Sequence, residues 1–396
     1  MTARFGAASD RAGAVVIGGD YQGLAIARSL GRRGVPVCVI DDEHSISRWS
    51  RYVSMHERVP DLRDEEATVA ALTSLAGRRE VRGWVLFPTR DETVAAIAEH
   101  RDELEPLFRV PTPAWDVVRW AWDKRNTYAL ATSLDIPTPR TWCPVDAAAL
   151  EHVDVDPPYV LKPAVKPRFL EVTKAKAWRA DTRDQLRDLW TRGVEIAGPG
   201  GMLVQELVPG DGCRQFGYCS FFKDGRSEGT MVVRRRRQHP PEFGRSSTYV
   251  QTIDLPEIEA MSTRLLQEID YYGLVEVEYK SDPDTEELKL LDLNARTWGY
   301  HSLGGRAGVD FPWLLYADQT GLPTAACHTA AGLSWMRLVT DLPTAVLELR
   351  AGRLDVRGWL RSLRRLDVEA TFSRDDPLPM LAELLLVPYL FAKRGF

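Results

Sequence analysis

With 396 residues, of which 44% are hydrophobic and 27% charged, the chain is long enough for two or three globular domains. Its net charge of -5 offers no long-range attraction to nucleic acid or an anionic membrane, and five scattered cysteines without a CxxC pair argue against a disulfide framework or a structural zinc. The opening MTARFGAASD lacks an apolar signal core, and no run reaches the roughly 18 apolar residues of a spanning helix, so a cytoplasmic protein without a membrane span is expected.

Ala14-Val-Val-Ile-Gly-Gly reads as a buried strand closed by glycines. A helical pattern through Leu24, Ile26, Ala27 and Leu30 follows, then a second strand, Val35–Ile40, ending at Asp41. This is a βαβ unit of an open parallel sheet. Val85–Thr89 is a further strand and Glu92–Leu104 a helix, and the first unit closes near the turn Val110-Pro-Thr-Pro113. Trp115–Leu134 reads as one helix, stopped by Asp135-Ile-Pro-Thr-Pro139. Then come strand Tyr159–Pro163, helix Gln185–Val194 and strand Met202–Val208, which ends at Pro209-Gly210. Phe216–Phe222 and Gly229–Arg234 pair around a Lys223-Asp-Gly turn, and after helix Ile258–Asp270 a second strand pair spans Leu274–Lys280 and Leu288–Leu293. Beyond about residue 325 the chain is Arg-rich and helical, closing on an apolar run over Met380–Phe391 that reads as a docked terminal helix.

The late strand pair carries the strongest chemical signal. Leu274-Val-Glu-Val-Glu-Tyr-Lys alternates apolar residues with Glu276 and Glu278, and in Leu-Leu-Asp-Leu-Asn-Ala-Arg the polar residues Asp292, Asn294 and Arg296 project from one face. If the strands form a hairpin, one or both glutamates face Asp292. Two hard carboxylates and an amide oxygen then converge as ligands suited to Mg²⁺.

Only nine of the 51 basic residues are lysines, so a lysine in an apolar strand is informative. Lys162, in Tyr-Val-Leu-Lys-Pro, is either a snorkelling edge residue or a phosphate ligand. Lys124, near the start of a helix, is less unusual. The turn Gly18-Gly-Asp-Tyr-Gln-Gly23 sits where a dinucleotide fingerprint would, with Asp41 as its acidic partner, but the glycines occupy positions one, two and six. A substrate or packing role fits that spacing better than NAD(P).

Taken in order, these pieces resemble the ATP-grasp superfamily, and within it the carboxylate–amine ligases similar to D-aspartate ligase. The resemblance covers residues 14 to 325. Leu-Lys-Pro at 161–163, Gln-Glu-Leu-Val-Pro-Gly at 205–210 and Glu-Tyr…Leu-Asp-Leu-Asn-Ala-Arg at 278–296 carry it. Arg234–Gly244 and Thr297–Leu303 carry the narrower match. It implies an α/β chain, α+β in its ATP-binding part: a parallel-sheet domain over 1–112, a two-lobed ATP-grasp domain over 113–325 (small lobe 135–205, large lobe 206–325) and a helical C-terminal extension over 326–396. It implies ATP, with Mg²⁺ or Mn²⁺, held by Lys124, Lys162, Lys176, Gln205, Glu206, Leu207, Val208 and Asp211. Glu278, Asp292 and Asn294 match the metal ligands, Glu278 being preferred to Glu276 on its 14-residue distance to Asp292. Arg296 and Lys162 match the catalytic cations.

The Ala164–Lys176 segment has none of the glycines usual in the loop over the phosphates, and Lys166, Arg168, Lys174 and Lys176 are available to supply charge instead. In Arg234–Arg237, strand alternation sends two arginines to each side. Arg234 and Arg236, with Arg296, His301, Gly18 and Gly19, are the expected substrate contacts. The expected activity joins a small carboxylic acid to an amine, amino acids included, with release of ADP, and a homodimer is the assembly to consider. The competing readings are an NAD(P)-dependent oxidoreductase using the glycine turn, a carboxylase or kinase on the same nucleotide site, and an inactive ATP-binding regulator.

Overall fold

In the computed structural model, residues 12–78 and 80–394 are described. Four short strands, β1 (Ala14–Ile17), β2 (Val37–Asp41), β3 (Met55–Arg58) and β4 (Val85–Pro88), form a parallel sheet in the order β3-β2-β1-β4. β1, β2 and β4 are buried along their whole length, as continuous apolar runs require in a sheet covered on both faces. β3 reads Met-His-Glu-Arg, a polar edge strand that hydrophobic pattern does not signal.

The helix expected over Trp115–Leu134 is broken at Asp123 into Trp115–Trp122 and Lys124–Ser133. Asp123 is extended, caps the second helix through the Arg125 amide and bridges to Val165, while the Lys124 amide donates to the Ala164 carbonyl at 3.0 Å. The break fixes Lys124 beside the next lobe. That lobe is an antiparallel sheet of β5 (Thr141–Trp142), β6 (Tyr159–Pro163), β7 (Trp178–Ala180) and β8 (Met202–Glu206), ordered β5-β8-β6-β7. Where a loop was expected over 164–176, Lys166–Thr173 is a helix, started by Pro167 in its first turn and ended by Lys174 in the left-handed region.

The large sheet contains β9 (Gln215–Lys223), β10 (Arg226–His239), β11 (Ser246–Thr252), β12 (Gly273–Ser281), β13 (Leu288–Asn294), β14 (Cys327–His328), β15 (Ser334–Met336) and β16 (Val368–Glu369). Its order is β13-β12-β9-β10-β11-β15-β16, with β14 beside β10. Asp224 and Gly225 both take positive φ at the β9–β10 turn, the backbone that an Asp-Gly pair favours. One face packs on helices Lys124–Ser133 and Pro256–Glu268 through Val275, Val277 and Tyr279. The other shares a core with the N-terminal unit, where Leu24 and Phe87 join Phe221, Met231 and Trp335. The C-terminal segment is helical over Leu338–Arg350, Val356–Arg364 and Leu378–Arg394, and it also supplies β14–β16, so the large sheet runs past residue 325.

Candidate active site

β12 and β13 pair antiparallel with Glu278 opposite Asp292 and Glu276 opposite Asn294. The alternation that buries Val275, Val277 and Tyr279 in the helix-covered core turns Glu276, Glu278 and Lys280 to the other face. Asn294 Nδ2 donates to Glu276 Oε2 at 3.2 Å and Glu278 Oε1 at 3.0 Å, which leaves Asn294 Oδ1 to accept from Lys166 Nζ at 3.1 Å. Lys166 also reaches Asp292 Oδ2 at 3.3 Å, and Lys124 bonds Asp292 Oδ1. Burial opposes ionisation of Asp292, but Lys124, Lys166 and Lys176 hold it well below the ordinary carboxylate range. Burial likewise opposes the charge on Glu278, which Lys176 and Arg235 nevertheless bring down to about 2. Burial and the neighbouring Glu278 charge push Glu276 up to about 7 while the Tyr300 hydroxyl donates to it. Two ionised carboxylates and an amide oxygen at one spot are the hard donors that Mg²⁺ takes, and its remaining positions would go to phosphate and water. Among the described residues there is no group of three or more His, Cys, Asp or Glu that could hold a metal by itself.

Five of the nine lysines, Lys124, Lys162, Lys166, Lys176 and Lys280, line one cavity of 130 Å³ with Gln205–Val208, Glu278 and Asp292. Lys162 bonds the Tyr128 hydroxyl and sits 4.9 Å from the centre of that ring. Burial, then repulsion from Lys124, pushes Lys162 well below the usual ammonium value. The cavity thus concentrates positive charge poised for an anion. Glu206 is tied to Lys289 at 2.6 Å and Arg140 at 2.9 Å, and Gln205 donates to Thr141 at 2.6 Å, so backbone groups are what this strand end offers a planar base. Lys280, which sequence reasoning passed over, donates to the carbonyls of Val208 and Gly210 at 2.8 Å each and pins the hinge, the segment 208–210 that joins the two lobes. Asp211 caps the following turn through the Cys213 amide and lines the adjoining cavity instead of this one.

A further cavity of 420 Å³ is lined by Gly18, Asp20, Thr89, Asp91, Arg296 and Arg337, among others. Arg296 Nε donates to Asp91 Oδ1 at 2.5 Å, and Lys166 lies 3.2 Å from Asp91 Oδ2. Burial opposes ionisation of Asp91, yet Arg296 and Lys166 keep it well below its ordinary range. Asp91 starts the helix after β4, and its Thr-Arg-Asp-Glu surroundings look like any helix beginning, so sequence gave no chemical signal for it.

Several expectations change. Arg235, on the same sheet face as Glu276 and Glu278, is the arginine that reaches the acidic pair, 3.1 Å from Glu278 Oε2. Arg234 instead donates to the Cys213 carbonyl at 2.8 Å, and Arg236 lines a different cavity. Parity along β10 decides this. His301 does not line the Arg296 cavity; it is buried, its Nε2–H donates to the Gln22 carbonyl at 3.0 Å, and burial lowers its pKa to about 4. It braces the glycine turn from behind. Gly18 takes φ 97° at the cavity edge, and the Gly19 amide donates to Asp41 Oδ2 at 2.6 Å. Asp41 is further engaged by Arg90 at 2.9 Å, and a carboxylate so occupied does not serve a ribose, which counts against the dinucleotide reading.

No family model and no curated protein matches the sequence. Solved structures do. The L-amino acid ligase from Bacillus licheniformis superposes with a TM-score of 0.62 at 15% identity, over 79% of this chain and 75% of that one. The N5-carboxyaminoimidazole synthetase from Staphylococcus aureus gives 0.63 at 13%, over 86% of both chains. The biotin carboxylase domain of the Hydrogenobacter thermophilus 2-oxoglutarate carboxylase, solved with MgADP, ADP and bicarbonate, gives 0.65 at 13%, over 81% of this chain and 73% of that one. Identities this low speak for the fold alone. The chain has the ATP-grasp fold, with the acidic strand pair and the lysine cavity meeting between its two lobes.

Proposed function

We propose that the protein is a Mg·ATP-dependent carboxylate–amine ligase that forms an amide or peptide-type bond through an acyl phosphate, releasing ADP and phosphate. One observation carries this reading. Lys166 spans from Asp292 in the lysine cavity, and from Asn294 on the same strand, to Asp91, the partner of Arg296, in the neighbouring cavity. A phosphoryl donor on one side and an acceptor on the other would meet at that chain of charges.

In this assignment the backbone of Glu206–Val208 receives the adenine, and Lys124, Lys162, Lys166 and Lys176 hold the phosphates. Glu278, Asp292 and Asn294 hold Mg²⁺ (Mn²⁺ serving in its place), which supplies neutralising charge when bound. The cavity with Gly18 and Arg296 takes the acid. Its carboxylate oxygen attacks the γ-phosphorus, the bond from that phosphorus to the bridging oxygen breaks, and ADP departs. Positioning and charge neutralisation are the main demands of that step. The amine nitrogen then attacks the acyl carbon, its proton passes to solvent, the carbon–oxygen bond to phosphate breaks and phosphate leaves. Arg296 steadies the developing oxyanion. A division of labour over 1–112, 113–325 and 326–396 accompanies this reading, as does a cytoplasmic setting. Support comes from the fold shared with an L-amino acid ligase and with a carboxylase domain solved with MgADP.

The test is incubation with Mg·ATP and pooled acids and amines, with ADP and AMP quantified and acyl phosphate trapped by hydroxylamine. Acid-dependent ADP release with hydroxamate formation is expected. AMP release, or no nucleotide turnover with any pool, overturns the assignment.

A further inference from the structure

A larger cavity of 640 Å³ adjoins the lysine pocket and shares Leu207, Gln215, Phe243 and Lys280 with it. Its walls are β10 and β11 on one side and the helix Val356–Arg364 on the other. That helix is held in place by a buried network. Arg237 pairs with Asp341 at 2.8 Å and donates to the Ser362 hydroxyl at 3.0 Å, and the Trp359 indole donates to Asp341 at 3.1 Å.

Seven basic side chains and three carboxylates line the cavity, in a chain whose overall charge is -5. Arg237, Arg353 and Lys280 are satisfied by Asp341, Glu348 and the Val208 and Gly210 carbonyls. Arg236, Arg361 and Arg365 have no ion-pair partner among the described residues. Three guanidinium forks on two facing walls, one of them fixed by its own network, match an anion with several oxygens better than a point charge. The volume lies within the roughly 300–1,000 Å³ typical of small-molecule sites.

We propose that this cavity is a second binding site, for a small molecule carrying phosphate groups, with Arg236, Arg361 and Arg365 as its anchors. The site is separate from the ligase chemistry and does not rest on it. Through Lys280 and the hinge carbonyls it holds, occupancy is mechanically connected to the strand end that faces the lysine cavity.

Calorimetric titration of the full chain with inorganic pyrophosphate, at low ionic strength and under saturating Mg·AMPPNP, tests this. One pyrophosphate is expected to bind per chain. The double variant Arg361→Ala/Arg365→Ala, changed at two exposed positions, should weaken that binding roughly tenfold or more while leaving AMPPNP affinity within about twofold. Absence of pyrophosphate binding in the wild type, or equal binding in the variant, overturns the site. A parallel titration with citrate decides the ligand class: citrate binding with pyrophosphate silent overturns the phosphate assignment. Should AMPPNP itself fail to bind, the ligase reading falls separately. The dependence of pyrophosphate on Arg361 and Arg365 is then read on the nucleotide-free chain.

Discussion

Arg235 reaches across strand β9 to donate to Glu278 Oε2 at 3.1 Å, so a cation two strands away caps the acidic pair from the side opposite Lys124 and Lys166. The same guanidinium bonds Gln215 and lies 3.1 Å from Gln238 Oε1, which leaves it little freedom. Replacing it with methionine strands Glu276 and Glu278 as neighbouring buried carboxylates. Arg235→Met should lose on the order of 3 kcal/mol in urea unfolding, because breaking a buried pair exposes an uncompensated charge. Mg·AMPPNP affinity should fall with it, whereas Arg236→Ala should leave that affinity within about twofold. Equal effects of the two substitutions would refute the parity assigned to β10.

Asp292 accepts from both Lys124 and Lys166. Asp292→Asn keeps the size and register of β13 but removes one donor charge from the proposed metal set. Turnover should drop by about 10³-fold or more, with cooperative unfolding retained. Nucleotide binding by the wild type should weaken on chelation with EDTA, and binding by the variant should not respond to it. Wild-type turnover in Asp292→Asn would sink the metal assignment.

Lys162 is 9% exposed, and burial with Lys124 nearby pushes its ammonium well below the usual value. Such a residue is maintained at a cost to the fold. Lys162→Met fills similar volume without the charge and should raise the melting temperature by a few degrees while weakening ATP binding by about 100-fold. A variant that melts lower than the wild type, or binds ATP unchanged, would show that Lys162 is structural.

Much of this site was legible because its chemistry is unusual for its surroundings. Glutamates alternating with valines on a strand, and lysines in a chain that otherwise uses arginine, both pointed to the pocket where they meet. Asp91 was not legible, since an acid at a helix start has an ordinary explanation in the helix dipole. The choice among four consecutive arginines was not legible either, because it depends on register across three strands and β10 is irregular between Arg235 and Arg237. β15 and β16 are only three and two residues long, too short for any periodicity, and pairing alone, of β15 with β11 and of β16 with β15, makes them strands.

His301 gives a test of how the glycine turn is supported. Its ring is 1% exposed, and burial lowers its pKa from 6.5 to about 4. Between those values the unfolded chain binds a proton that the folded protein refuses, so stability owed to neutral His301 is complete above about pH 6.5 and is lost as pH falls toward 4. The full effect is on the order of 3 kcal/mol. Asp41 acts in the opposite sense: burial raises its pKa to about 6, so the fold gains as that carboxyl takes up its proton on acidification. Comparing wild type with His301→Gln cancels Asp41, because both proteins carry it, and glutamine can still donate to the Gln22 carbonyl. From about pH 7 to about pH 4.5, the wild type should lose roughly 2–3 kcal/mol more in urea unfolding than the variant. Parallel stability curves for the two proteins would mean that the imidazole gains a proton in the folded state as readily as in the unfolded one, and that the turn at Gly18 is braced by other contacts.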